Sequence, residues 1–160
     1  MYVNYKHNDT MMSHVCLHDC EARRADLCDG TLSFFFEEGF WISPNHPESD
    51  CNTLVRTDGA RVDYNLGRGL SEDVNVYVFY YNRLLRATVR KAIPLEKLID
   101  LINSKKAYLE FLYEYTDENS RIIKCALRYK KRPWYRECEI GIYCESAVYR
   151  WNELRLECVW

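Results

Sequence analysis

Residues 74–103, VNVYVFYYNRLLRATVRKAIPLEKLIDLIN, contain both of the patterns that decide the fold. Residues 74–81 carry apolar side chains at alternating positions on both faces, and this pattern predicts a central strand that is covered on each side. Asn82-Arg83 is a polar turn that leads into residues 84–92, a second extended segment. Because only a short turn joins the two segments, we expect them to pair as antiparallel neighbours.

The same stretch ends in the one clear helical pattern of the chain. Four apolar residues recur at the spacing of a single helical stripe: Leu95, Leu98, Ile99 and Ile102. Pro94 suits the first helical turn, because its missing backbone N–H is not needed there. The sequence therefore predicts one amphipathic helix over about residues 94–103, which packs its apolar stripe on a sheet.

Outside this stretch, polar turns separate short segments whose apolar residues again alternate. The clearest turn is Asp29-Gly30, which suits a type I′ hairpin because both residues accept positive φ. Leu32, Phe34 and Phe36 would then share one face of the outgoing strand. Further extended segments are predicted over residues 60–66, 107–115, 121–129 and 135–145.

Extended backbone is therefore expected to form most of the molecule. We predict an α+β fold, a mainly antiparallel, strongly bent sheet or partly open barrel of about eight to nine strands, with one covering helix. The chain has 160 residues, which is enough for one domain, residues 1–160, but short for two.

Composition and charge narrow the classes of function. The formal net charge is −2, with 22 basic and 24 acidic residues, whereas a duplex-DNA binder usually shows a basic excess. No apolar run reaches membrane-spanning length, and residues 1–10 are too polar for a signal peptide. The sequence thus predicts a cytoplasmic protein that binds neither nucleic acid nor a membrane.

Histidine and cysteine alternate through one short segment: His14, Cys16, His18 and Cys20. Both residue types ligate zinc, but four alternate positions on a strand span roughly 20 Å, which is too far for one ion. At most two neighbours could bind it, together with residues from elsewhere such as His46 or Cys51. Because the spacing matches no standard motif, the sequence predicts no metal and no cofactor, and the eight cysteines are expected to be free thiols.

A polar pocket is the second candidate site. His18 and Asp19 combine an imidazole with a carboxylate, which is the pairing of a base and its orienting group. His46 belongs to residues 43–58, a long segment rich in turn-forming residues. Adjacent strand residues face opposite sides, so His18 and Asp19 would touch only if the chain turns there, and the competing interpretation is that both side chains cap nearby backbone groups.

Two charged segments are interpreted as solvent-exposed surface. Glu110 and Glu114 would lie on the outer side of one strand. The apolar side of that strand would end with Tyr113 and Tyr115. Residues 130–136 join basic and aromatic side chains, a combination that can bind single-stranded nucleic acid. A charged hairpin tip is the better interpretation of this segment, because the protein is acidic overall.

Several short motifs follow one another along the chain. They are His18-Asp19-Cys20, Gly39-Phe40-Trp41, Pro44 with His46-Pro47, Arg56-Thr57-Asp58, Ile93–Ile99, Glu110–Glu114 and Tyr149–Asn152. In this order they resemble uncharacterised single-domain β-rich proteins of gut-type Gram-positive bacteria, over nearly the whole chain. The His-Asp pair before a hairpin also resembles some immunity proteins of bacterial toxin systems. The resemblance implies a bacterial protein of that kind, but it assigns no catalytic or ligand-binding residue.

The function predicted from these features is binding without catalysis. The chain contains neither a phosphate-binding loop nor a nucleophile elbow, and it is rich in the residue types that anchor protein interfaces. We predict an inhibitor or immunity-type partner of another bacterial protein. The candidate interface residues are Trp134, Tyr135 and Trp151. The alternative is an enzyme or small-ligand binder with a polar pocket around His18, Asp19 and His46.

Overall fold

The computed structural model describes residues 4–47, 49–50, 52–67 and 71–160, except for the side chains of Cys158 and Val159. In chain order the described strands are β1 His7–Asp9, β2 Val15–Cys16, β3 Cys20–Ala22, β4 Arg24–Cys28, β5 Thr31–Phe36, β6 Trp41–Ile42, β7 Val55–Thr57, β8 Ala60–Leu66, β9 Val74–Asn82, β10 Ala87–Ile93, β11 Ala107–Asp117, β12 Ser120–Tyr129, β13 Tyr135–Trp151 and β14 Leu154–Val159. The described helices are α1 Leu95–Asn103 and two 3₁₀ turns, Met12–His14 and Ser71–Asp73.

Ten of these strands form one antiparallel sheet around the long strand β13. The main path runs β3-β11-β12-β13-β8-β5-β4, while β1 and β9 also pair with β13 and β10 pairs with β9. The sheet is not closed into a barrel. Its two end strands, β3 and β4, are nevertheless separated only by Arg23, whose N–H donates to Phe35 O. The sheet must therefore bend until its two ends approach each other.

A second, smaller sheet contains most of the short strands that the sequence did not predict. It runs β14-β7-β6-β2, and three of its four strands contain only two or three residues. Segments this short cannot establish an alternating pattern, which needs four or more positions. The α+β architecture with a bent antiparallel sheet is thus confirmed, whereas the described strands outnumber the predicted eight to nine.

Helix α1 begins and ends where the sequence predicts. Leu95, Leu98 and Ile102 are buried, and the helix packs against β4, β9 and β11. The side-chain amide of Asn103 donates to Ala25 O at 2.7 Å and accepts from Ala25 N at 3.0 Å. Because Ala25 lies on the end strand β4, this double hydrogen bond covers part of the open sheet edge. No helix of the described residues has the length and apolar character that a bilayer crossing requires.

The hairpin between β4 and β5 forms as predicted. Asp29 and Gly30 have φ values of 49° and 72°, and Cys28 pairs with Thr31, so two residues make the turn. Positive φ at both positions is the signature of a type I′ turn. The alternate residues of the outgoing strand are all buried: Leu32, Phe34 and Phe36.

Strand β9 has a neighbour on each side, β10 and β13, but only one of its faces is buried. The buried residues are Val74, Val76 and Val78. On the opposite face the guanidinium of Arg90 lies 3.5 Å from the ring centroid of Tyr77. Long cationic side chains can cover aromatic rings in this way while their charge stays in water. The predicted cover on both faces of this strand is therefore a buried core on one face and cationic side chains on the other.

A β-bulge in β11 reverses the predicted orientation of the second half of that strand. The register shifts between Phe111 and Tyr113, so Leu112 is an extra residue. Beyond it, Tyr113 and Tyr115 are each 57% exposed, whereas the Glu114 side chain is only 5% exposed. The prediction that Glu114 faces solvent was wrong, because an inserted residue exchanges the two faces of a strand.

Candidate functional site

Residues 12–20 do not form the single strand that their alternation suggested. His14 ends a 3₁₀ turn, and β2 extends only over Val15–Cys16. The chain then turns at His18-Asp19, where Asp19 has a φ of 57°. The alternating histidines and cysteines therefore do not share a strand face, and the two histidines belong to different sites.

A cavity of about 500 Å³ lies where residues 12–18 face the bulge in β11. Leu112, Tyr113 and Glu114 line the bulge side, and Leu54 and Trp160 complete the wall. Most of the lining is apolar, and its polar side chains include His18 and Glu114. The bulge thus creates a mostly apolar cavity with a small number of polar groups, which is the usual composition of a small-ligand pocket.

The His18 side chain is held in place on several sides. Its Nδ1 lies 2.6 Å from Leu112 O, its ring is stacked 6.1 Å from the ring of Trp160, and Tyr113 lies 5.3 Å away. Its Nε2 lies 3.5 Å from Asp19 Oδ2. The turn therefore brings His18 and Asp19 into contact, as the polar-pocket interpretation required.

His46 does not line this cavity. It is buried, and its Nε2 lies 3.2 Å from Asp9 Oδ2. Its ring centroid is 5.3 Å from those of both His14 and Trp151, and both of these ring contacts are edge-on. The pocket predicted around His18, Asp19 and His46 is therefore divided, since His46 contacts Asp9 of the amino-terminal strand β1 instead.

Asp9, His14 and His46 form what we call the His–Asp–His cluster. Asp9 Oδ2 lies 2.6 Å from His14 Nδ1, and Asp9 Oδ1 accepts a hydrogen bond of 2.8 Å from Met11 N. Burial by itself would raise the pKa of the Asp9 carboxyl, but the hydrogen bonds from Met11 and His14 outweigh it and lower that pKa. The three side chains are only 13%, 17% and 7% exposed.

Glu114 connects the cavity to a buried polar network. Its Oε1 lies 2.8 Å from the Arg121 guanidinium and accepts from the Tyr64 hydroxyl at 3.3 Å, and its Oε2 accepts from the Tyr149 hydroxyl at 3.4 Å. Burial, and then the charge of Glu114, raise the pKa of both tyrosines. Both hydroxyls therefore remain donors, and a carboxylate that the sequence placed in water is instead fully partnered.

Two hairpin turns lie side by side at one end of the large sheet, and we call residues 81–88 and 128–136 the paired tips. Val78 of β9 pairs with Cys138 of β13 at the end of their ladder, and beyond it Tyr81 and Tyr135 line the same cleft. This cleft of about 460 Å³ runs between the tips. Five large apolar residues of the tips are 55–95% exposed: Tyr81, Leu84, Leu85, Trp134 and Tyr135.

The paired tips also concentrate positive charge. Their seven basic residues are Arg83, Arg86, Arg128, Lys130, Lys131, Arg132 and Arg136. The tips themselves contain no acidic residue, and Glu137, which follows the second tip, lines the cleft. The rest of the chain has 15 basic and 24 acidic residues. Arg128 is paired with Glu110 and also lies over the ring of Tyr135, 5.3 Å from its centroid. An apolar surface with a positive rim thus projects from a negatively charged body.

Trp151, the third predicted interface residue, is not part of this surface. It is 1% exposed and its ring contacts those of His7, Phe40 and His46. In this fold Trp151 is a core residue, so only Trp134 and Tyr135 are placed where a partner could reach them. Aromatic residues are common in cores as well as in interfaces, and composition alone does not separate the two.

The described residues thus assemble a mostly apolar cavity, the His–Asp–His cluster and the paired tips at three separate places. Only the tips correspond closely to a predicted feature, since residues 130–136 were interpreted as a charged hairpin turn. The cluster and the cavity combine segments that are distant in the chain, and no local pattern indicated them. Comparisons with protein-family models, with curated proteins and with solved structures find no match to this chain.

Proposed function

We propose that the protein is a non-enzymatic binding protein that docks on an acidic protein surface through the paired tips. The observation that carries this proposal is the coincidence of five exposed large apolar side chains with seven basic and no acidic residues in a chain of net charge −2. Contiguous exposed apolar surface that is rimmed by polar groups indicates an interaction site. The specific role we propose is an inhibitor or immunity-type partner of another bacterial protein.

Charge complementarity supports an acidic partner. The basic tips would attract an acidic surface, while the acidic remainder of the chain would be repelled by it. This arrangement orients the two proteins during encounter and increases the association rate, especially at low salt. We therefore expect the affinity for the partner to fall as the salt concentration rises.

The apolar residues at the tips favour a protein over single-stranded nucleic acid. Trp134 and Tyr135 are of the residue types that dominate binding energy in interfaces. Leu84 and Leu85, which are 95% and 67% exposed, form the end of the β9–β10 turn. Single-stranded nucleic acid is bound by aromatic stacking and cations, and it gives aliphatic side chains no specific contact. A protein surface can bury all four side chains.

The experiment is affinity capture with matched variants, followed by titration calorimetry with each partner identified. The test variant carries Trp134→Ala and Tyr135→Ala, and the control carries Tyr115→Ala and Leu156→Ala, which are similarly exposed but belong to neither the tips nor the cavity wall. We expect an acidic protein to be retained by the wild type and the control. The test variant should bind it at least about 30-fold more weakly, since truncation of one interface anchor typically costs about 2 kcal/mol.

Direct binding assays separate this proposal from its competitors. Single-stranded oligodeoxythymidylate and phosphatidylserine vesicles both offer negative charge without a protein surface. Tip-dependent binding of either probe, with no protein retained, would mean that the tips recognise nucleic acid or lipid and that the proposal is wrong. Equal retention of the acidic protein by wild type and test variant would place its binding site elsewhere on the chain.

The cavity beside His18 supports a second candidate function, the binding of a small, mainly apolar molecule. Its volume of about 500 Å³ is within the usual range of ligand pockets. We expect an apolar fluorescent dye to bind there and Leu54→Trp, which adds an indole to the wall, to weaken this binding at least about tenfold. Dye fluorescence measures both affinities. Unchanged dye affinity in Leu54→Trp would exclude the cavity as the binding site.

A further inference from the structure

The donor atoms of the His–Asp–His cluster lie close enough together to bind one metal ion. Two imidazole nitrogens and one carboxylate oxygen all lie within 4.8 Å of one another. Zinc–ligand bonds of about 2.0–2.2 Å in tetrahedral geometry separate ligand atoms by about 3.3 Å. The 3.2 Å between Asp9 Oδ2 and His46 Nε2 matches this value, and the 2.6 Å to His14 Nδ1 is a hydrogen bond whose proton a metal ion would replace. We propose that Asp9, His14 and His46 bind one divalent transition-metal ion.

The surroundings of the cluster orient its donors. Met11 N donates to Asp9 Oδ1, which leaves Asp9 Oδ2 to face both imidazoles. The rings of His14 and His46 are 81° apart in orientation, and the ring of His46 packs edge-on against Trp151. Contacts of this kind fix ligand orientation before an ion arrives and reduce the entropy lost on binding.

The donor set selects the class of ion. Two imidazoles and one carboxylate suit Zn²⁺ and its neighbours in the first transition series, whereas Mg²⁺ and Ca²⁺ prefer oxygen ligands alone. None of the three donors is a thiol. Because His14 is 17% exposed, water can reach the cluster and supply the fourth ligand. Zn²⁺ is therefore the best-matched ion.

Metal binding would join three parts of the chain. Asp9 belongs to β1, His14 to the following 3₁₀ turn, and His46 to the irregular segment between β6 and β7. An ion that binds only the folded chain stabilises it. Bound Zn²⁺ would hold His46 against β1, a role that is independent of the function proposed for the paired tips.

The test measures metal content and the visible spectrum of the Co²⁺-substituted full-length protein. After incubation with Zn²⁺ and removal of free ion, elemental analysis should find about one ion per wild-type chain. His14→Asn and Asp9→Asn should each bind Zn²⁺ at least about 100-fold more weakly, since even the loss of an outer-shell partner costs 10–100-fold. His18→Gln is the matched control, because His18 lies beside the cavity and should leave the affinity unchanged.

Two further readouts keep the result interpretable if a variant folds poorly or a cysteine binds the ion. Circular dichroism establishes that His14→Asn is folded, and Zn²⁺ should raise the melting temperature of the wild type but not of this variant. Co²⁺ bound to the cluster should give d–d bands without a thiolate-to-metal charge-transfer band. A thiolate band, a wild type without stoichiometric Zn²⁺, or undiminished binding by both cluster variants would each overturn the proposal.

Discussion

Gly39→Ala is expected to lower the free energy of unfolding by about 4 kcal/mol, a loss that few single substitutions produce. Gly39 has a φ of 75°, in the left-handed region where a Cβ atom is strained. A Cβ atom at this position would also lie only 2.2 Å from Thr57 O and 2.3 Å from Asp58 O. Both obstacles are backbone atoms, so no side-chain rotation relieves the overlap. Urea denaturation of the wild type and the variant measures the difference.

The backbone around Thr57 cannot move away, because it is hydrogen-bonded on both sides. Thr57 N donates to Phe40 O at 2.8 Å, and Phe40 N donates to the Thr57 hydroxyl oxygen at 3.1 Å. The Asp58 carboxylate in turn accepts from the backbone N–H groups of Asn152 and Glu153. Three of the motifs behind the resemblance, at residues 39–41, 56–58 and 149–152, therefore meet at one junction. Its contacts stabilise the fold.

Gly59→Ala is the matched control for this prediction. A Cβ atom on Gly59 would meet only Glu37 O, at 3.7 Å, which is an ordinary van der Waals contact. We expect the free energy of unfolding to change by no more than about 1 kcal/mol. If Gly39→Ala and Gly59→Ala had the same small effect, the close approach of residue 39 to β7 would be refuted.

Glu114→Ala is expected to lower the free energy of unfolding by about 3–5 kcal/mol. The substitution leaves Arg121, whose side chain is 13% exposed, without its carboxylate partner. It also removes the acceptor for the hydroxyls of Tyr64 and Tyr149, and buried donors without a partner are costly. Chemical denaturation followed by fluorescence and circular dichroism gives the difference.

Glu110→Ala provides the control on the same strand. Glu110 forms an ion pair with Arg128, but these side chains are 19% and 40% exposed, so water screens the pair. Exposed pairs of this kind contribute at most about 1 kcal/mol. A loss of similar size in Glu110→Ala and Glu114→Ala would contradict the inward orientation of Glu114, and with it the bulge at Leu112.

Glu110 and Glu114 show where an alternating sequence pattern stops predicting which side chains of a strand are buried. Up to Phe111 the sequence predicted the burial of β11 correctly, since Leu109 and Phe111 are both buried. One extra residue at Leu112 then exchanged the faces, and nothing in the local pattern distinguishes a bulged strand from a regular one. That single insertion moves Glu114 inward and forms one wall of the cavity.

In the candidate sites too, contacts between neighbouring residues could be anticipated from the sequence, whereas contacts between distant segments could not. The positive φ of Asp19 turns the chain, so the side chains of His18 and Asp19 come into contact. From the sequence, this contact was expected only if the chain turned at these residues. The sequence suggested at most two ligands from the alternating segment of residues 14–20, with His46 or Cys51 as a further source, and it did not indicate Asp9 at all. Which histidine met His46 depended on how the segment after β6 folds, and that is a tertiary property.

The amino-acid sequence by itself determined several local elements: the type I′ turn at Asp29-Gly30, the helix after Pro94, the strand that begins at Val74 and the charged turn over residues 130–136. Alternation, helical spacing and turn chemistry are properties of residues that are close in sequence, so they can be recognised without knowledge of the tertiary structure. Only the tertiary structure decided that Trp151 is buried, that Glu114 faces inward and that Asp9 meets His14 and His46. These outcomes depend on register, on one bulge and on contacts between distant segments, whose free energies are settled only when the whole chain packs.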